Sequence, residues 1–105
     1  MNTVKTIEYI EQALETLGFK RTTGQAWQRA VSGGRLTVTL LDYGNPLFRG
    51  TWTDGRLTDT VFFELGLSEV ADRDARDNLL TWATWYVGGN RMTENGTIGY
   101  AGAAA

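Results

Sequence analysis

The chain of 105 residues contains no cysteine and no histidine. Without cysteine there are no disulfides, thiolate metal ligands or thiol nucleophiles, and the composition is compatible with a reducing compartment. Without histidine, the commonest general base and the commonest metal ligand of proteins are missing. These two absences exclude the most frequent kinds of catalytic and metal centre, and we expect no cofactor and no metal.

Long apolar segments and a strong net charge are also missing. No apolar run approaches the roughly 18 residues of a membrane span. Acidic residues interrupt the apolar positions at the start of the chain, unlike in a signal peptide. We therefore expect no membrane partner and a location in the cytoplasm of the producing or host cell. The net charge of −2 provides no global attraction to phosphate.

Motifs of common enzyme classes do not occur: there is no G-x-S-x-G, no P-loop and no G-x-G-x-x-G. The acidic run Asp72–Asp77 has arginine and aspartate where a calcium-binding EF-hand loop needs an oxygen ligand and glycine. We interpret it as the acidic start of a helix. Carboxylate pairs such as Asp54 and Asp59 leave a small carboxylate-based enzyme as an alternative, although nothing in the sequence places them across a cleft.

Residues 35–63 have the pattern of three strands. Apolar residues alternate with threonine from Leu36 to Leu40, which is typical of a half-buried strand. A Gly-Asn-Pro break separates this strand from a second one, and Asp54-Gly55 predicts a two-residue type I′ hairpin before a third. Another strand is predicted upstream, so the sequence indicates a four-stranded antiparallel meander over residues 25–31, 35–42, 47–53 and 56–63.

Two amphipathic helices flank the predicted sheet. The first spans residues 3–17, and its apolar residues recur every three or four positions. Gly18 and Phe19 follow it as expected for a Schellman motif. The second begins near a possible cap, Ser68, and runs to about Val87. The apolar stripe predicted for the first helix comprises Val4, Ile7, Ile10, Leu14 and Leu17.

The predicted fold is a single α+β domain over residues 1–105. It has an N-terminal helix, a four-stranded antiparallel meander and a second helix packed on the same sheet face. A small C-terminal hairpin is predicted from Arg91 to Tyr100 around Asn95-Gly96. Residues 101–105 are expected to fray.

Threonine and arginine share one face of the predicted sheet. Threonine also favours strands for structural reasons alone, so a merely solvated face is the simplest interpretation. A flat, rigid face that forms hydrogen bonds without long flexible side chains is the functional alternative. The residues of this candidate binding face are Arg35, Thr37, Thr39, Arg49, Thr51, Thr53, Thr58 and Thr60.

Aromatic residues are numerous for a chain of this size, with four tryptophans and four tyrosines. Most fall on apolar faces, where packing in the core explains them. Trp85 is offset from the core stripe of the second helix, and Tyr43 lies next to a predicted turn. We expect these two residues to be interface anchors.

These patterns favour a non-enzymatic protein-binding domain. An accessory protein of a phage or other mobile element, such as an inhibitor of a host complex or an assembly factor, fits this size and charge. A nucleic-acid-binding domain is the main alternative, because Arg29, Arg35, Arg49 and Arg56 are candidates for a basic outer sheet face. The partner is expected to be another protein, and pairing of two copies into a homodimer remains open.

Overall fold

The computed structural model describes residues 3–22, 24–42, 45–92 and 98–100. An N-terminal helix precedes a five-stranded antiparallel sheet, whose strands follow one another in chain order, and a second helix and a two-stranded hairpin follow the sheet. The elements are α1 (Thr3–Thr16), β1 (Lys20–Arg21), β2 (Ala26–Val31), β3 (Gly34–Leu40), β4 (Leu47–Thr53), β5 (Thr58–Glu64), α2 (Glu69–Val87), β6 (Asn90–Met92) and β7 (Ile98–Tyr100).

The predicted α+β class and antiparallel meander are confirmed, but the strand count of four was wrong. A fifth strand, β1, pairs with β2 through Lys20 opposite Gln28 and Arg21 opposite Trp27. Two polar residues carry no alternation of their own, so the sequence pattern indicated a connector. The strand exists because the edge of β2 provides hydrogen-bonding partners, which is a tertiary effect.

Both helices begin or end at the signals that the sequence contains. Beyond α1, the Gly18 N–H donates to the Glu15 carbonyl at 3.0 Å, and the Phe19 N–H donates to the Leu14 carbonyl at 2.9 Å. Gly18 has a φ of +91°, so the predicted Schellman motif is present. At α2, the Ser68 hydroxyl accepts a hydrogen bond from the Ala71 N–H at 3.0 Å, as an N-cap residue does.

The turn between β4 and β5 differs from the predicted one. The Asp54 N–H donates to the Leu57 carbonyl, which places Gly55 and Arg56 at the centre of the turn. Only Gly55 has a positive φ there, so a type I′ turn centred on Asp54-Gly55 is excluded. Instead, the Asp54 carboxylate accepts the N–H groups of Leu57 at 2.7 Å and Arg56 at 2.8 Å. These two hydrogen bonds lower the pKa of Asp54.

The core lies between one face of the sheet and the two helices. Its largest fully buried side chains include Trp27, Trp52, Tyr86 and Phe48. Val4 was predicted to join the apolar stripe of α1 but is 61% exposed, because it lies to one side of the buried face of this helix, which is formed by Thr6, Ile7, Ile10 and Leu14. Buried Asp72 connects the two helix starts: its carboxylate accepts the Gly66 N–H at 2.7 Å and the Thr3 hydroxyl at 3.0 Å.

The predicted C-terminal hairpin is present as the antiparallel pair of β6 and β7. Its proposed turn, Asn95-Gly96, and residues 101–105 lie outside the described residues. Within the described part of the chain, no helix is long and apolar enough to cross a membrane.

Candidate binding surface on the open sheet face

The two faces of the five-stranded sheet have different surroundings. The inner face, which contacts the helices, carries the buried residues Leu36, Val38, Phe48 and Trp52. The intervening residues of each strand point to the other side, and the described helices lie on the inner face only. We call this other side the outer face. It is half-buried or exposed along β3, β4 and β5.

The strand register brings all eight predicted sheet residues onto the outer face. The pairing of β3, β4 and β5 is uninterrupted, so residues that share a face form straight rows across the strands. The middle row contains Gln28, Thr37, Thr51 and Thr60; one flanking row contains Arg35, Thr53 and Thr58, and the other contains Thr39, Arg49 and Phe62.

The threonines of the outer face fall into two groups. The Thr53 hydroxyl donates to the Leu57 carbonyl at 2.9 Å and accepts from the Gly55 N–H at 3.1 Å. The Thr58 hydroxyl donates to the Thr53 hydroxyl at 3.3 Å. These two residues therefore stabilise the turn between β4 and β5. In contrast, the hydroxyls of four other threonines form no side-chain hydrogen bond within the described residues. These are Thr37, Thr39, Thr51 and Thr60.

Phe62 is a member of this surface that was not selected from the sequence. Its side chain is 59% exposed, and it lies directly opposite Arg49 in the register. A large apolar side chain beside an arginine is a common combination at the energetic centre of interfaces. The alternation of β5 places Phe62 on the threonine face, so the signal was present. It was left out of the candidate binding face because only threonine and arginine were considered for that face.

The charge of the outer face is modest. Arg49 is exposed, and Arg35 donates from one guanidinium nitrogen to the Gln28 side-chain oxygen at 3.3 Å. Lys20 lies opposite Gln28, and Glu64 ends the last strand. The four-arginine cluster considered for nucleic acid does not form.

Two of those four arginines lie elsewhere. Arg29 shares the inner face with Trp27, and its side chain lies against Gly18. It was misplaced because a charged residue between apolar ones suggested the solvent side, whereas strand alternation puts residues 27, 29 and 31 on one face. Arg56 lies in the turn before β5.

Packing on the inner face holds the central strand in position. A Cβ atom added to Gly50 would lie 2.6 Å from the Trp82 ring, so glycine allows α2 to approach β4 closely. The Asp59 carboxylate accepts the Trp82 indole N–H at 3.1 Å and the Tyr86 hydroxyl at 2.5 Å. Burial, and secondarily this hydrogen bond and the negative charge of Asp59, raise the pKa of Tyr86. These contacts on the inner face hold the strands in fixed positions and so make the outer face rigid.

The two predicted aromatic anchors do not join the outer face. Trp85 is half-buried in the helical layer, where its ring packs edge-on against Tyr86 with ring centres 5.3 Å apart. It borders a groove of about 450 Å³ that is lined by Asp77, Leu80, Thr81 and Thr84 as well. Tyr43 lies outside the described residues.

A second groove, of about 410 Å³, runs between α1 and α2. Leu17 and Leu80 contribute to its apolar lining, and Tyr9, Gln12 and Thr84 border it. The Arg76 guanidinium lies 4.8 Å from the centre of the Tyr9 ring. The two grooves share Leu80 and Thr84, so they lie next to each other on the helical layer.

The carboxylates considered for catalysis do not converge on these grooves. The Asp59 carboxylate accepts hydrogen bonds from Trp82 and Tyr86, and the Asp54 carboxylate caps its own turn. Among the described residues, no group of three or more acidic side chains is placed to hold a metal ion. Comparison with known protein families, curated proteins and solved structures finds no match to the chain.

Proposed function

We propose that this chain is a non-enzymatic protein-binding domain whose binding surface is the outer face of the sheet. The main support is the row of unengaged threonine hydroxyls beside Arg49 and exposed Phe62, on a sheet held rigid by the helices behind it. Such a surface loses little side-chain entropy on binding, because threonine has few rotamers and the strands are already ordered.

The Phe62–Arg49 pair and the threonine row of this surface have different expected roles. Phe62 and Arg49 supply the apolar and charged anchors that dominate the binding energy of most interfaces. Thr37, Thr51 and Thr60 supply donors and acceptors at fixed positions, which select for a matching arrangement of polar groups on the partner. A domain that acts by occupying a partner's surface has the form expected of an inhibitor or an assembly factor.

The proposal is tested by affinity capture with a sheet-face variant. Arg49→Glu combined with Thr51→Arg reverses the anchor charge and places a long side chain at the centre of the face. The matched control is Thr81→Glu, which makes the same net change in charge at an exposed position of α2. Capture runs in lysate of the producing cells, with circular dichroism as the check of folding for each variant.

We expect a stoichiometric protein partner to be retained by the unmodified chain and by Thr81→Glu, and lost by the double variant. Retention of the partner by a folded double variant would contradict the proposed surface. A partner lost only by Thr81→Glu would move the binding site to the helical layer.

Single-stranded nucleic acid is the second candidate ligand. The observation in its favour is the pairing of Phe62 with Arg49 on an open sheet, because exposed aromatic rings stack on bases and arginine contacts phosphate. Binding of this kind weakens steeply with salt. Nuclease treatment of the lysate before capture, and a mobility-shift titration at low and high salt, distinguish this ligand from a protein.

A further inference from the structure

Strand β5 forms one edge of the sheet. It pairs with β4 along all seven of its residues, and no strand within the described residues lies on its other side. The opposite edge is different, because β1 contributes only two residues there. A long edge strand presents a row of backbone N–H and C=O groups that pair readily with another strand.

The hydrogen bonds of the ladder show which backbone groups face outward. The Leu65 N–H donates to the Pro46 carbonyl at 2.9 Å, and the Asp54 N–H donates to the Leu57 carbonyl at 3.3 Å. Hydrogen-bonded pairs recur at every second residue of an antiparallel ladder. The backbone N–H and C=O groups of the odd-numbered residues of β5 therefore point toward β4. The free edge consists of the outward-facing backbone groups of Thr58, Thr60, Phe62 and Glu64.

This free edge lacks the usual features that prevent strand pairing. Strand β5 contains no proline, lysine or glycine, and its register with β4 is continuous, without a bulge. Its one inward-pointing charge, Asp59, does not prevent strand pairing, because the carboxylate is held within its own chain by hydrogen bonds from Trp82 and Tyr86. The exposed ring of Phe62 lies beside the open backbone groups.

The sequence of β5 is compatible with pairing to itself in the antiparallel direction. The register that uses all seven residues has its twofold axis at Val61. It places Thr58 opposite Glu64 of the second copy and Thr60 opposite Phe62 of the second copy, through about eight backbone hydrogen bonds. On the inner side, Asp59 lies opposite Phe63 of the second copy. No two like charges are directly opposed, so electrostatics permit this pairing.

We propose that a second copy of this chain binds along β5, which joins two five-stranded sheets into one continuous antiparallel sheet. The twofold axis is perpendicular to the sheet, so the helices of both copies lie on one side and the two outer faces form one surface. A strand edge buries less than the roughly 1,600 Å² of a standard interface, so we expect a dissociation constant in the micromolar range.

Sedimentation velocity over a concentration series is the first test. The unmodified chain is expected to change from monomer to dimer with increasing concentration. Thr60→Pro removes an outward N–H and places the proline ring where the second copy binds, while the hydrogen bonds to β4 stay intact. Its dissociation constant is expected to rise about tenfold or more. Thr60→Val keeps the N–H and the branched side chain and is the matched control; because it alters only the side-chain pair with Phe62 of the second copy, its dissociation constant is expected to change by less than about fivefold.

Disulfide crosslinking tests the register directly, since the chain contains no cysteine. In the proposed dimer, two copies of Val61→Cys lie opposite each other with Cα atoms about 4.5 Å apart, which a disulfide can span. Thr58→Cys is the control on the same strand, because the two copies of residue 58 lie about 20 Å apart. Mild oxidation is expected to crosslink Val61→Cys and leave Thr58→Cys monomeric.

Three outcomes overturn the proposal. The first is an unmodified chain that stays monomeric at every concentration, which would make an extended segment of a different protein the expected partner of the edge. A folded Thr60→Pro can dimerise as tightly as Thr60→Val, which excludes the β5 edge. Thr58→Cys can crosslink as efficiently as Val61→Cys, which excludes the register centred on Val61.

Discussion

The two faces of this sheet are built from alternate residues of the same strands, yet different constraints act on them. On the inner face, side chains fit one another closely: Gly50 leaves room for the Trp82 ring, and the Asp59 carboxylate holds Trp82 and Tyr86. On the outer face, threonines and arginines lie in rows with no described element above them. Folding therefore determines the inner face, while the outer face is free to suit a partner.

This difference predicts that neighbouring substitutions in β4 have very unequal effects. Trp52 is fully buried and stacks on Tyr86 with ring centres 5.4 Å apart. Trp52→Ala is expected to lower the free energy of unfolding by about 3–5 kcal/mol, because it removes a large buried side chain and leaves a cavity. Thr51→Ala, one residue away on the outer face, is expected to change it by less than about 0.5 kcal/mol. Urea denaturation measures both, and similar losses would contradict the comparison.

Gly50→Ala is expected to lower the free energy of unfolding by about 1–3 kcal/mol, because the added methyl group collides with the Trp82 ring. A double-mutant cycle sharpens this prediction. Trp82→Phe shortens the ring, so Gly50→Ala should cost less in that background than in the unmodified chain. An equal cost in both backgrounds would show that the strand, and not the contact with α2, is sensitive to the substitution.

The buried phenol of Tyr86 predicts a dependence of stability on alkaline pH. Its pKa is raised in the folded state by burial and by Asp59, whereas in the unfolded chain it is the ordinary value of about 10. Above that pH the unfolded state loses a proton that the folded state keeps. The free energy of unfolding should therefore fall as pH rises past about 10, by up to about 1.4 kcal/mol per pH unit from this residue.

Tyr86→Phe tests this pH dependence. The variant lacks the phenol, so its free energy of unfolding should fall less steeply than that of the unmodified chain between pH 9 and the highest pH at which folding persists. Denaturation series at matched pH values measure the difference. Parallel curves for the two proteins would assign the alkaline loss of stability to other groups.

A substitution at Phe62 is also expected to have little effect on stability. Phe62→Ser removes an exposed ring and should change the free energy of unfolding by less than about 0.5 kcal/mol, although it should weaken binding of the partner. Phe63→Ser is the matched comparison on the same strand, because Phe63 is half-buried and packs against Trp82 at 6.3 Å between ring centres. Phe63→Ser should lower the free energy of unfolding several times more than Phe62→Ser does. Equal costs would mean that Phe62 belongs to the core.

Local patterns in the sequence were sufficient for the faces of the central strands and for the helix ends. Alternation from Leu36 to Leu40 determines which side chains share a face, because a strand has a period of two. Gly18 and Ser68 act through hydrogen bonds to residues within four or five positions, so neighbouring residues alone predict them. For the same reason, all eight residues of the candidate binding face were predicted to lie together.

Contacts between distant segments decided the rest. Strand β1 forms because β2 lies beside it, Arg29 turns inward against Gly18, and Asp59 meets Trp82 and Tyr86 from 23 and 27 residues away. The open edge of β5 is likewise a property of the strand order. A single sequence records the period of each element, but it does not record which elements become neighbours, since that depends on how all their apolar surfaces are buried together.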